Sequence, residues 1–111
     1  MKKPNLLLIS IDSLRADHLS AYGYAKETTP YLAELAEEGV LFHNAFSASN
    51  WTGAAVASLL TGRYPTSHGY TNQRYYLDAD VPTLADHMQT AGYRTACFSN
   101  NLHITAQTGL N

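Results

Sequence analysis

The chain has 111 residues, enough for one small domain with a real core, and its 45% hydrophobic and 14% charged content excludes a disordered protein. A net charge of −2 and a pI near 6.2 give no basic field for nucleic acid or an anionic membrane surface. The single cysteine, Cys97, excludes an intrachain disulfide and a cysteine-built zinc cage, and removes any need for an oxidising compartment.

Lys2 and Lys3 before an apolar run imitate a secretory leader, but the run from Leu6 to Ile11 is short, stops at Asp12 and has no small-residue cleavage site after it. Residues 5–11 read instead as a central strand covered on both faces. Asp12 then stands at the C-terminal end of that strand, the edge where open α/β sheets bind ligands. No apolar run reaches the length of a membrane span, and cytoplasm is the default expectation.

Residues 13–28 carry no sustained period and predict a loop, with a turn of helix around Arg15 to Ala21. Thr29 before Pro30 is an N-cap followed by a proline at the first helical position. Leu32, Leu35 and Ala36 form an apolar stripe, and Gly39 is the stop. Glu37 and Glu38 in the last turn oppose the helix dipole, which points to solvent exposure there. Val40 to Phe46 predicts a second strand, and Ser47 to Asn50 a loop.

The stretch NWTGAAVASLLTGRYPTSHG, residues 50–69, is the first place to look for chemistry. Thr52 precedes a run of small residues and leucines that ends at Gly62, the pattern of a short helix with Thr52 at or near its N-cap. Two readings follow. Thr52 caps a buried helix, or its hydroxyl joins unpaired N–H groups and the positive dipole end in receiving a phosphate or sulfate group.

Residues 63–80, rich in Tyr, Thr, Asn and Gly, predict irregular surface. Pro82 and Thr83 open another helix with Leu84, Ala85, Met88 and Ala91 buried and Gly92 as its stop. Arg94 to Ser99 predicts a further central strand, with Cys97 in the core and Ser99, Asn100 and Asn101 at its end. Residues 106–111 read as a loop leading to another element. This order of elements argues for a mostly parallel α/β sheet, with three polar strand ends on one rim. No repeat, low-complexity tract or domain linker interrupts it.

Four stretches, at residues 4–24, 28–47, 58–69 and 83–95, together resemble the sulfatases and their phosphatase and phosphodiesterase relatives in the alkaline phosphatase superfamily. The resemblance implies an alkaline-phosphatase-like (sulfatase-like) three-layer α/β sandwich, with residues 1–111 as the N-terminal part of one catalytic domain. It implies a divalent metal site with Asp12 as its first ligand, and a covalent nucleophile at Thr52, ten residues before Gly62. Further Asp, Asn or His ligands of the family lie downstream of these residues.

The departures from the sulfatase pattern are specific. Sulfatases carry a cysteine or serine that is modified to formylglycine, with an arginine four residues on; here Thr52 and Val56 occupy those positions, so no formylglycine is expected. Ser13 replaces a second carboxylate after Asp12, and Ser99, Asn100, Asn101 and Leu102 stand where sulfatases have a Gly-Lys-Trp-His segment. A threonine nucleophile with one leading aspartate is more similar to the metal-dependent phosphodiesterases and phosphotransferases of the superfamily. A threonine hydroxyl is a poor nucleophile until a metal ion stabilises its alkoxide, which makes Thr52 a metal ligand as well. The reading favoured by the sequence is a phosphate- or sulfate-ester hydrolase or transferase acting on a small-molecule, lipid or sugar ester, and the ligand types admit Zn, Mn, Ca or Mg. The alternatives are a sulfatase with an unmodified threonine, and a scaffold without chemistry. The 111 residues alone are expected to be inactive and to bind metal at most weakly. No GxGxxG or Walker pattern supports nucleotide binding.

Other candidates stand beside their structural readings. Arg15 contacts an anion or forms a salt bridge; Asp17 and His18 ligate a metal or are solvated. Asn100 and Asn101 donate to a bound oxyanion or form a turn, and His103 replaces the missing histidine only out of register. His68 is expected to shape its turn. Tyr64, Tyr70, Tyr75 and Tyr76 line an entrance or pack against other parts of the domain.

Overall fold

Proline, threonine and glycine punctuate the helices. The computed structural model describes residues 3–110. It contains α1 (Pro30–Glu38), α2 (Thr52–Thr61), α3 (Pro65–His68) and α4 (Leu84–Thr90), with single 3-10 turns at Ala16–His18, Ser20–Tyr22 and Ala106–Thr108. The chain divides into two units, Met1–Ala45 and Phe46–Asn111. Met1, Lys2 and Asn111 lie outside the described residues, and with them part of the leader-like N-terminus.

In the first unit, α1 begins at Pro30 with Thr29 as N-cap and stops at Gly39, as predicted. It packs on the Ser20–Tyr22 turn through a reciprocal pair of hydrogen bonds. The Ser20 N–H donates to Thr29 Oγ1 at 3.0 Å, and the Thr29 N–H donates to Ser20 Oγ at 3.1 Å. The Tyr22 hydroxyl donates to the Phe42 carbonyl at 2.8 Å and so holds the segment that follows α1. The apolar stripe of α1 is not covered: Leu32 and Leu35 are both exposed.

The second unit holds the core. Ala57 on α2, Tyr70, Leu77 and Leu110 are buried together, with Trp51, Val56, Leu60, Val81 and Ile104 packed around them. Gly62 closes α2 in the left-handed conformation (φ 66°), where a side chain would be strained, and its N–H donates to the Ser58 carbonyl at 2.9 Å. The backbone ties the far segments together, since the Leu77 N–H donates to the Thr108 carbonyl at 2.9 Å. Thr83 caps α4 in a reciprocal box with Asp86, whose carboxyl is held below its ordinary range by the Thr83 N–H and hydroxyl it accepts from.

Five expectations are corrected. Residues 63–80 are not irregular surface: they contain α3, fully buried His68 and Tyr70, and buried Leu77. The signal was present as Pro65 at the first position of α3 and Gly69 just past its end, left-handed at φ 74°. The terminal stretch is likewise a 3-10 turn that buries Leu110. Cys97 is exposed, not core, and α4 buries none of its residues. Finally, the predicted strands at 5–11, 40–46 and 94–99 join no ladder. Among the described residues the β-pairing is one antiparallel bridge, Thr71 with Arg74. A strand gains its hydrogen bonds only from a neighbour, and strands read as covered on both faces need flanking layers as well. Here Leu6, Leu7, Leu8, Ile9 and Ile11 are 54–86% exposed. The predicted parallel sheet is therefore absent among the described residues. No helix among them is long and apolar enough to cross a membrane.

Candidate functional site

Thr52 is the first residue of α2, one place inside the helix, and the cap position belongs to Trp51. Trp51 has extended backbone, its carbonyl accepts the first helical bond from the Ala55 N–H at 3.0 Å, and its side chain makes no capping bond. The first turn of α2 therefore presents its N–H groups without an acceptor from the cap residue, the arrangement that receives anionic groups. Of the two sequence readings of Thr52, the cap reading falls to a residue that does not use it.

Behind the first turn stands an aromatic wall. Tyr70 packs on Trp51 with centroids 5.7 Å apart, and Tyr75 and His103 meet Trp51 edge-on at 5.3 and 5.1 Å. Gly53 is where this wall touches α2. A Cβ there would lie 2.5 Å from Tyr70 Cε1, closer than real atoms approach. Of the tyrosines considered for an entrance, Tyr70 is core, whereas Tyr64, Tyr75 and Tyr76 are exposed.

Tyr70 is set in place by His68. The Tyr70 N–H donates to His68 Nδ1 at 3.1 Å, so that nitrogen carries no proton. The neutral ring then has its proton on Nε2, which lies 2.9 Å from Ser58 Oγ and donates to it. Burial pushes the His68 pKa down, consistent with the neutral form. A buried serine–histidine pair invites a nucleophilic reading, but here the nitrogen facing the hydroxyl is already protonated and does not act as its base. The expected turn-shaping role of His68 is what the geometry shows, extended to a clamp on the middle of α2.

The remaining predicted site residues divide between the two units. Asp12 is exposed on a turn whose next residue, Ser13, is left-handed at φ 60°. Arg15 Nε donates to Asp17 Oδ1 at 2.9 Å in an exposed pair, and His18 Nδ1 lies 3.0 Å from the same oxygen. The Arg15 hydrogen bond, then that of His18, holds the Asp17 carboxyl well below its ordinary range. Arg15 is thus committed to a salt bridge, and the pair sits in solvent where it adds little. In the second unit, Asn100 is exposed, and Asn101 Oδ1 accepts the His103 N–H at 2.9 Å, a turn-forming role. That turn lays the His103 ring against Trp51 and so brings the 101–103 segment to the residue before Thr52. Sequence reasoning missed Gly53 and Trp51 and named Tyr70 only among the entrance or packing tyrosines; the contact of the three has no local signal.

Metal ligation is not met by these residues. Among those described, no group of three or more His, Cys, Asp or Glu side chains comes together, so they do not fit a metal shell by themselves.

Comparison with known proteins bears on the chemistry. The chain is 37% identical over 99 residues to an N-acetylgalactosamine-6-O-sulfatase of Bacteroides thetaiotaomicron, covering 85% of this chain and 19% of that protein. It is 35% identical over 109 residues to an arylsulfatase of Clostridium perfringens, covering 97% and 22%. It is 33% identical over 118 aligned positions to a choline-sulfatase of Rhizobium meliloti, covering 98% and 21%. The chain thus spans about a fifth of the length of the curated relatives it matches. These relatives are named for sulfate esters, and none of the three lends support to the phosphodiesterase type that Thr52 suggests. No solved structure matches the chain significantly. The family model for sulfatases matches residues 4–109, nearly the whole chain, and the chain belongs to the sulfatase family.

Proposed function

We propose that the protein containing this chain is a sulfuric ester hydrolase, and that residues 1–111 are the N-terminal part of its catalytic domain. The family match over residues 4–109, with relatives named as sulfatases of amino sugars, aryl groups and choline, carries this reading. The substrate class is a small organic or sugar sulfate. Thr52 is the nucleophile by its spacing to Gly62 and its position on the first turn of α2. Its Oγ1 attacks the sulfur, the bond from sulfur to the leaving oxygen breaks, and the alcohol departs with a proton. Water then cleaves the threonine sulfate. The N–H groups of the first turn stabilise the non-bridging oxygens as charge shifts onto them. Asp12 would supply one carboxylate to a divalent ion, Zn, Mn, Ca or Mg, but no step here runs through that ion. Asn100 and Asn101 would border the bound ester, with Arg15 as a further contact if it releases Asp17.

A second reading, a phosphate-ester hydrolase or transferase, rests on Thr52 and Val56, which lack the modifiable residue and the arginine of the formylglycine signature. One experiment separates the readings: turnover of an aryl sulfate and an aryl phosphate by the whole protein and by its Thr52→Ala variant. The expected result is aryl sulfate hydrolysis that falls about a thousandfold or more in the variant. Faster aryl phosphate turnover would exchange the first reading for the second. Undiminished activity in Thr52→Ala would remove Thr52 as nucleophile.

A further inference from the structure

Tyr70 is fully buried, at 0% exposure, yet its hydroxyl has no hydrogen-bond partner among the described residues. Such a group weakens a fold, because water is lost and nothing replaces it. Arg74 Nε is also buried without a partner, but the Arg74 guanidinium is already paired with Asp78 and lies over the Tyr76 ring. The Tyr70 hydroxyl has no such compensation.

Its location is specific. The Tyr70 backbone is tied to His68 Nδ1, and its ring packs tilted against Trp51 with centroids 5.7 Å apart. Its Cε1 lies so close to Gly53 that a Cβ there would stand at 2.5 Å. Cε1 is bonded to the carbon that bears the hydroxyl, so the phenol end lies against Gly53, in the first turn of α2. That helix runs ten residues, and its cap residue makes no side-chain bond to the first turn. Burial pushes the phenol pKa up, so the group keeps its proton and meets an anion as a donor.

We propose that Tyr70 is an anion-binding residue, its hydroxyl donating a hydrogen bond, directly or through one ordered water, to a tetrahedral oxyanion held at the first turn of α2. This rests on the placement of ester chemistry at Thr52. It adds a donor that neither the helix nor the sequence motifs supply. It also accounts for a tyrosine in a position that phenylalanine would fill without an orphaned oxygen.

Tyr70→Phe in the whole protein removes that oxygen and nothing else. Three quantities are measured: the melting temperature without added anion, its rise on adding inorganic sulfate or phosphate, and kcat/KM for aryl sulfate and aryl phosphate. The expected result is a higher anion-free melting temperature, a smaller anion-induced rise, and kcat/KM lowered about tenfold, the effect of one hydrogen bond to a charged group. A lower anion-free melting temperature overturns the proposal, since the hydroxyl then has a partner within the fold. An unchanged anion response with unchanged kcat/KM overturns it too, as does a wild-type protein stabilised by neither anion. If the wild type binds an anion but hydrolyses neither ester, the hydrolase reading fails, and the loss or survival of the anion response in Tyr70→Phe still decides the role of Tyr70.

Discussion

Replacing Gly53 with alanine sets two effects of opposite sign against each other. Helix propensity alone favours alanine by about 0.8–1.0 kcal/mol in a helix interior. Packing opposes it, because the new Cβ would stand 2.5 Å from Tyr70 Cε1, 2.9 Å from Trp51 Cη2 and 3.1 Å from Trp51 Cζ3. Tyr70 is fully buried and its backbone is tied to His68, so its ring has no open side to move into. Overfilling a packed interior costs about 1–3 kcal/mol, and propensity counts for less in a first turn, so the net change is a loss of about 1 kcal/mol. Equilibrium urea unfolding of the whole protein reads this as a midpoint lowered by about 0.3–1 M at unchanged slope. A raised midpoint, as propensity alone requires, would refute the packing argument. Tyr70→Leu supplies the control. With Cε1 gone and only the Trp51 contacts left, Gly53→Ala should cost less than in the wild type, a coupling of about 1 kcal/mol between the two positions.

Two further outcomes follow from the same unit. His68 is buried and neutral, with its pKa pushed below the ordinary 6.5 by burial. Below that pH the unfolded chain binds a proton that the folded chain does not. Its contribution is therefore fully present above about pH 6.5 and is lost as pH falls towards the folded value. The wild-type unfolding midpoint minus that of His68→Gln should decline from pH 7 to pH 5; a flat difference would refute the assignment. Thr83→Ala removes the hydroxyl half of the α4 capping box, leaving the backbone N–H of residue 83 on Asp86, and should cost about 1 kcal/mol, while Thr83→Ser should restore most of it. Equal midpoints for Thr83→Ala and the wild type would show that the hydroxyl half contributes nothing.

Helix ends were legible because their causes are local. Thr29 with Pro30, Gly62, and Thr83 with Asp86 act within one turn, and the structure follows them to within a residue or two. The core between residues 63 and 80 was not legible. His68, Tyr70 and Leu77 are buried by contacts with Ser58, Trp51 and the Thr108 carbonyl, and no period along the chain encodes those. The apolar runs have the composition of strands, but a ladder is a property of two segments, and none forms from them among the described residues. At the candidate site, spacing singles out Thr52 for the proposal. Arg15 is paired with Asp17 two residues away, a geometry that sequence leaves open. Tyr70 against Gly53 was invisible for the same reason as the core.

The segment from Leu6 to Ile11 carries a consequence of its own. It is apolar, uncharged and exposed, and its backbone joins no ladder among the described residues. Such a stretch is a template on which another extended chain can form hydrogen bonds, the seed of intermolecular sheets. It leaves the ribosome before the segments that follow it in the chain exist to cover it. During that interval an exposed apolar segment of this kind is open to pairing with other chains, so folding yield should rise as the segment is covered sooner.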